Sequence, residues 1–354
     1  MNAALRATLW LAAGIRRDGS RRPVRIPATR AAWGRTSLGR RVLRMVCLGL
    51  LAGLTWGHPA PARGEGWALV IGVNAPTRFR RPEGGPIRPL KGAEQDARGM
   101  TALLAKQPGF HPDRIVQLTG LDATRARVER EWRQLTRLSR PGDQLVLHFS
   151  GHGTQVADRR PFDETEDQLD EALCLADSDE QGRNLLLDDD LARWLDQLDN
   201  RDSLVILDCC HAGTGTKSDD EFQPRALVSL DAIPHRVPGE VAWRELRALG
   251  KGQTRRQALF ACQSSQLAYE RRFPHLRDPD RGGQFTQALL QAFGDEGADA
   301  DGDGSITGDE LRRFVNRRLD AEFNHLRDTP DARQQPVYEL ADPHRPLLTP
   351  LPAR

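Results

Sequence analysis

From residue 63 to residue 354, short apolar runs alternate with stretches of helical spacing. Residues 67–73, 144–150 and 203–207 are nearly continuous hydrophobic runs of strand length. That is the pattern of strands buried on both faces. Residues 114–118 and 258–262 read as two more strands. Met100, Leu103 and Leu104 share one side of a helix predicted over 92–106, and 125–138 is a charged amphipathic helix. Leu191, Leu195 and Leu198 mark a short helix that opens with Asp188, Asp189 and Asp190, acids that suit the positive end of a helix dipole. Residues 285–293 and 310–319 are also helical in spacing. Strands alternating with helices predict one α/β domain, a central, mostly parallel sheet flanked by helices on both faces.

One stretch breaks the rhythm. Residues 214–257 are polar, proline-bearing and without a persistent period. A loop that long inside a compact domain is usually functional or mobile.

Charge changes the picture because it is unevenly spread. Residues 1–62 hold eleven arginines and a single acid, Asp18, a balance of +10. The rest then carries 40 basic against 48 acidic residues, about −8. An acidic body offers no electrostatic case for nucleic acid and favours cationic partners, either metal ions or basic peptides. The segment 1–62 reads as a leader. Arg40, Arg41 and Arg44 precede the apolar run 45–54, which is too short to span a bilayer comfortably, and Ala60-Pro-Ala62 supplies small residues for cleavage. Arg40-Arg41-Val-Leu resembles a twin-arginine signal. The long Arg-, Ala- and Gly-rich stretch before it is either an over-extended start or a second apolar attempt at 3–15. The expectation is an exported protein, periplasmic or secreted, touching membrane only through this segment, with a tethered or cytoplasmic form as the alternative. Cys174, Cys209, Cys210 and Cys262 remain in the body. They are too few for a disulfide scaffold and lack the CxxC spacing of a zinc site.

Two glycine-edged segments carry the chemistry: Leu145-Val-Leu-His-Phe-Ser-Gly-His-Gly153 and Leu204-Val-Ile-Leu-Asp-Cys-Cys-His-Ala-Gly213. Each breaks into small residues at a strand's carboxyl end, where open parallel sheets place their ligands. One end offers a histidine and the other a cysteine, and a thiol needs a base or a positive neighbour to react as a thiolate at neutral pH.

In these residues the chain resembles the caspase-like cysteine peptidases, closest to metacaspases and bacterial caspase-domain proteins. The resemblance covers 66–340 and also takes in Ala68-Leu-Val-Ile-Gly-Val-Asn74, Leu90-Lys-Gly-Ala-Glu-Gln-Asp96, Asp170-Glu171 and Phe285-Thr-Gln-Ala-Leu289. It implies a caspase-type α/β fold with His152 as general base or acid and Cys210 as nucleophile. Cys210 stands directly before His211 and two residues after Asp208. Cys174, Cys209 and Cys262 are then inert small hydrophobes, and His148 and His211 are structural. The resemblance also implies that the Gly153 amide helps form an oxyanion hole, and that Asp96, Ser150 and Asp208 line a pocket for a basic side chain. The implied substrates are proteins or peptides with Arg or Lys before the cut, handled by a monomer without an organic cofactor. In 214–257, Lys217, Arg225, Arg236 and Arg244 are candidate sites of self-processing. The competing reading is a catalytically silent caspase-like module for calcium-dependent binding or signalling.

The second sharp motif is Asp299-Ala-Asp-Gly-Asp-Gly-Ser-Ile-Thr-Gly-Asp-Glu310. It matches an EF-hand calcium loop, with Asp299, Asp301, Asp303, Ser305, Thr307 and Glu310 at the ligand positions and Gly304 at the tight turn. Only one such loop is present, so calcium either switches activity or staples a helix; the alternative is an acidic turn without metal. By the resemblance, Asp170, Asp188 and Asp189 suggest a second calcium site. There the pattern departs, because Lys217 falls where a further acid is expected.

Overall fold

The computed structural model describes residues 64–80, 85–157, 169–199, 201–210, 222–227, 256–263, 266–273, 276, 281–294, 297–324 and 333–348. The leader at 1–62, His211 and most of 214–257 lie outside the described residues.

In chain order the elements are β1 (Gly66–Gly72), α1 (Ala93–Leu104), β2 (Phe110–Thr119), α2 (Arg125–Leu138), β3 (Gln144–Ser150), β4 (Gly153–Ala157), β5 (Leu169–Leu173), β6 (Leu186–Leu187), α3 (Asp188–Asp196) and β7 (Asp202–Asp208). They continue with β8 (Gln223–Pro224), β9 (Arg256–Phe260), β10 (Tyr269–Arg272), β11 (Arg281–Gly283), α4 (Gln284–Ala292), β12 (Ile306–Thr307), α5 (Gly308–Glu322), β13 (Val337–Leu340) and β14 (Pro346–Leu348). The central sheet runs β13-β9-β7-β3-β1-β2 and is parallel except for β13 at its edge. The expected α/β fold is present.

Its strands read as continuous apolar runs because successive residues enter different cores. Ala68, Val70, Val146, Leu204 and Ile206 pack with α1, α4 and α5 through Met100, Leu104, Phe285, Leu289 and Leu311. Leu69, Ile71, Leu147, Val205 and Leu207 pack with α2 and α3 through Val128, Trp132, Leu135, Leu191 and Trp194. Trp132 and Trp194 stack at 5.6 Å and tie those two helices together. The start of α2 is set by Thr124, whose hydroxyl accepts the Arg127 N–H.

The expected strands and helices are found, with β2 and α5 extending beyond the predicted runs. Periodicity did not anticipate the small sheets β4-β5-β6 and β11-β10-β8, or the pair β12-β14. Their strands are two to five residues long, too short for a period to show. The β11-β10-β8 sheet matters most for the site, because it brings a piece of the interrupting stretch back into the body.

Candidate active site

β3 and β7 lie side by side in register, Ser150 opposite Asp208. His152 and Cys210 therefore both lie two residues beyond one shared level, at the carboxyl edge of the sheet. Both are buried. The Cys210 thiol donates to the Ala268 carbonyl at 3.6 Å. Burial, with the Arg225 guanidinium behind it, holds the His152 imidazole down at about 3, while the nearby Arg88 carbonyl works the other way. The ring is thus a neutral base at physiological pH. His148 is fully buried, with Nε2 3.4 Å from the Thr286 hydroxyl, and burial lowers it to about 3 as well. It packs inside the sheet. Cys174, Cys209 and Cys262 are free, buried thiols pushed upward in pKa. Burial is the leading cause for Cys174 and Cys209, and contact with Cys210 for Cys262.

The predicted pocket residues converge on a group from the chain itself. Arg225 is fully buried. Its Nη2 donates to Asp96 Oδ2 at 2.7 Å, and its Nη1 donates to the Ser150 hydroxyl at 2.5 Å and to the Asp208 carbonyl at 3.1 Å. Asp208 Oδ2 lies 3.4 Å from Nη1, and Glu270 Oε2 lies 3.7 Å from Nη2. Burial works against the charge on Arg225, but Asp208, Asp96 and Glu270 outweigh it and raise its pKa.

These carboxylates are themselves positioned. Asp96, in the first turn of α1, accepts from the Ser150 hydroxyl, the Gly283 N–H and the Gln287 amide at 2.8–2.9 Å. Asp208 accepts the Thr286 N–H at 2.9 Å. Glu270 accepts the N–H groups of Lys91 and Gly92 and pairs with Arg281. Burial pushes Asp96 up to about 6, Arg225 pulls it down and Asp208 pushes it further up. Gly283 is required here, because a Cβ would collide with the Asp208 carboxylate and come within 2.6 Å of the Arg225 guanidinium carbon.

The backbone of Arg225 is held as closely as its side chain. Its carbonyl accepts the Gly153 N–H at 2.9 Å and the Cys210 N–H at 3.3 Å, and its own N–H donates to the Ala268 carbonyl at 2.9 Å. Two amides aimed at one carbonyl oxygen beside a thiol and an imidazole form an arrangement able to stabilise a tetrahedral oxyanion. Gly153 allows this closeness, since a Cβ would sit 2.5 Å from the Cys210 carbonyl oxygen. The expectation for 214–257 is therefore sharpened. Of its four candidate basic residues, Arg225 is the one among the described residues, and it fills the cleft rather than solvent. Glu270 escaped sequence reading altogether, because its partners lie 178 and 179 positions away at Gly92 and Lys91.

A family model of the caspase domain matches residues 65–348. The chain belongs to the caspase-domain family of cysteine peptidases. Among curated proteins this caspase-domain chain is similar to Metacaspase-3 of Arabidopsis thaliana, at 35% identity over 164 residues, 44% of this chain and 42% of that one. It is 33% identical over 157 residues to Metacaspase-2 of Trypanosoma brucei brucei, 42% of this chain and 41% of that one. These matches span about two fifths of the length of each relative. A solved structure from Geobacter sulfurreducens is 25% identical, with a TM-score of 0.53 over 81% of this chain and 100% of that one.

The acidic loop lies between α4 and α5 in the chain. Carboxylate oxygens of Asp299, Asp301 and Asp303 lie within 4.8 Å of one another, the one such cluster of three possible ligands among the described residues. Asp299 accepts the Gly302 and Gly304 N–H groups, both glycines having positive φ. Asp303 accepts the Ser305 N–H. Glu310 turns to Ala300 and Thr307, and the Thr307 hydroxyl caps α5. Burial works against the Glu310 charge, yet the Thr307 and Ala300 donors hold its pKa below the usual range. β12, formed by loop positions eight and nine, pairs antiparallel with β14. The strand partner of this single loop thus comes from the chain's own C-terminal region. An all-oxygen donor set of this kind suits a hard divalent cation. Asp170 and Asp188 are buried, on β5 and at the start of α3; with Asp189 they form no such cluster.

Proposed function

We propose that this chain is a cysteine endopeptidase that cuts after arginine or lysine, and that its first substrate is its own Arg225–Ala226 bond. The observation that carries the reading is the pose of Arg225: guanidinium among Asp96, Asp208, Glu270 and Ser150, carbonyl on the Gly153 and Cys210 amides. A charge-assisted bond from a guanidinium to a carboxylate is worth roughly 1.5–3 kcal/mol. A neutral or acidic side chain in its place would leave buried Asp96 and Asp208 without the countercharge of Arg225.

In the proposed reaction the Cys210 sulfur attacks the Arg225 carbonyl carbon and its proton passes to His152. The developing oxyanion is held by the two amides. The C–N bond to Ala226 breaks, His152 returns the proton to the departing amine, and water then hydrolyses the thioester. Until the bond is cut, Arg225 excludes other substrates. Protein or peptide substrates enter afterwards, handled by a monomer.

Calcium is proposed to bind at Asp299, Asp301 and Asp303, with Ser305, Thr307 and Glu310 completing the loop, and to hold α5 against β14. The loop's tie to β14 and its cap on α5 favour a stabilising role over a switch. The Asp170, Asp188 and Asp189 site stays a secondary proposal. Export through residues 1–62 is proposed on the leader pattern alone.

The test incubates wild-type and Cys210→Ala chains with and without calcium, maps new termini by mass spectrometry, and assays peptides ending in Arg, Lys or Asp. A new terminus at Ala226 in the wild type alone, with Arg and Lys peptides cut and Asp peptides spared, is the expected result. Good turnover of the Asp-ended peptide would sink the specificity. No turnover of any peptide would leave the silent binding module.

A further inference from the structure

The segment that delivers Arg225 makes a second set of side-chain contacts three residues upstream. β8 lies antiparallel to β10, with Pro224 opposite Tyr269 and Gln223 opposite Glu270. An extended chain thus adds a strand to the cleft edge, the arrangement in which backbone bonds supply affinity and side-chain pockets supply specificity. The Gln223 amide donates to the carbonyls of Arg88 and Pro89 at 3.2 and 3.1 Å. Beyond the scissile bond, the Leu227 N–H donates to the Gly153 carbonyl at 2.8 Å.

Phe222 is buried. Its ring meets Tyr269 edge-on at 6.3 Å, and the Arg271 guanidinium stands 5.5 Å from its centroid. Arg271 is itself held in place. It stands over Phe273 and Phe323 at 5.8 and 5.1 Å and donates to the carbonyls of Arg272 and Glu322. Phe273 and Phe323 lock edge-to-face at 5.7 Å. Of the aromatic rings gathered here only Phe222 belongs to the segment. The rest belong to the body and stay when the segment leaves.

Resting on the arginine-directed reading of the cleft, we propose that Tyr269 and Arg271 form a second specificity site, for an aromatic side chain at the fourth position before the cut. The substrate class is then a peptide of the form aromatic-Gln-Pro-Arg, of which Phe222–Arg225 is the built-in example. Tyr269 offers an edge-to-face ring contact and Arg271 a cation, and both select an aromatic side chain. An acidic side chain at this position would instead give up the ring contact with Tyr269 and shed its water beside Phe273 and Phe323.

The test uses the full chain carrying Phe222→Ala and Arg225→Ala, which frees both positions of the chain's own side chains. It is assayed on fluorogenic Phe-Gln-Pro-Arg, Ala-Gln-Pro-Arg, Asp-Gln-Pro-Arg and Phe-Gln-Pro-Asp peptides. The expected kcat/KM for the Phe-led arginine peptide exceeds those of the Ala- and Asp-led ones about tenfold, from edge-to-face and cation–π contacts together. Arg271→Ala on the same background narrows the Phe-to-Ala ratio to within about threefold. Equal rates for Phe- and Ala-led peptides, or a preference for the Asp-led one, overturn the fourth-position site while leaving the arginine reading intact. Turnover of the Asp-ended peptide, or of none, overturns the arginine reading on which it rests. A second measurement does not depend on that double variant folding. In the otherwise native chain Phe222→Ala slows the cut at Arg225 about tenfold, and an unchanged rate counts against the proposal.

Discussion

The cleft and the loop at 299–310 are both built from acids, yet they treat charge in opposite ways. In the cleft Asp96, Asp208 and Glu270 are fully buried. Water cannot reach them, so they require a countercharge, and the chain delivers one on Arg225. In the loop Asp301 and Asp303 are exposed and spend oxygens on backbone N–H groups two residues onward. Water satisfies what remains. An acid cluster demands a cation in proportion to its burial. On the proposed reading that makes the cleft selective, whereas the loop offers a place a cation can take.

The sharpest break of this comparison is Cys210→Ala. It is expected to abolish peptide hydrolysis and the cut after Arg225, a loss of roughly 10⁴-fold or more on the scale of nucleophile deletions in triad enzymes. Gel and mass analysis over a long incubation checks it, and any residual cut at Arg225 would show that another nucleophile or another protease is responsible.

Next come the carboxylates. Asp208→Asn and Asp96→Asn are each expected to lower kcat/KM for arginine peptides about 10- to 100-fold, from the worth of one charge-assisted bond. The corresponding Asp301→Asn change in the loop should leave that constant within about twofold, because an exposed, screened carboxylate outside the Arg225 contacts contributes little to binding there.

Acid should act on the cleft in the same direction. Asp96 is raised to about 6 by burial with Arg225 in place. As pH falls through that value the carboxyl becomes neutral and loses its hold on a guanidinium, so kcat/KM should fall. Once the segment has left, the attraction of Arg225 no longer lowers this pKa, and the acid limb of kcat/KM should lie at or above pH 6. For stability the sign is reversed. Between the ordinary value of 3.8 and about 6 the folded chain binds a proton that the unfolded chain does not. This group therefore makes the fold more stable as pH drops through the window. A pH–rate profile of the processed enzyme, compared with melting curves of the Cys210→Ala chain, separates the two effects.

On activity the smallest expected effect is that of calcium, which acts on stability. At a hundred times its dissociation constant a bound ion adds about 2.7 kcal/mol, and chelation should lower Tm by several degrees while Asp299→Asn removes the response. A chelator that stops hydrolysis without moving Tm would assign calcium to the catalytic cleft instead.

The two halves of the site differ in how far the chain displayed them. His152, Gly153 and Cys210 sit in runs of a few residues whose apolar lead-in and small-residue break are local, and the strand ends could be read directly. The loop at 299–310 is legible for the same reason, since its oxygens, turn glycine and closing glutamate all lie within one continuous turn of chain. Asp96 and Ser150 entered only through the resemblance, because one helical acid and one strand serine carry no mark of their own. Glu270 had no signal, sitting in a four-residue strand with the backbone donors Lys91 and Gly92 remote along the chain.

Arg225 marks the boundary between the two kinds of knowledge. By itself the sequence determined the α/β alternation, the strand ends that carry thiol and imidazole, and the acidic balance that favours a cationic partner. Those follow from periods, spacings and totals, which are properties of neighbours along the chain. Only the tertiary structure decided which cation meets those acids. In a polar stretch without period an arginine looks like any solvated charge. It becomes a ligand because β8 pairs with β10 and carries it under Gly283, between buried carboxylates whose hydrogen bonds to neutral donors leave their charge to be balanced.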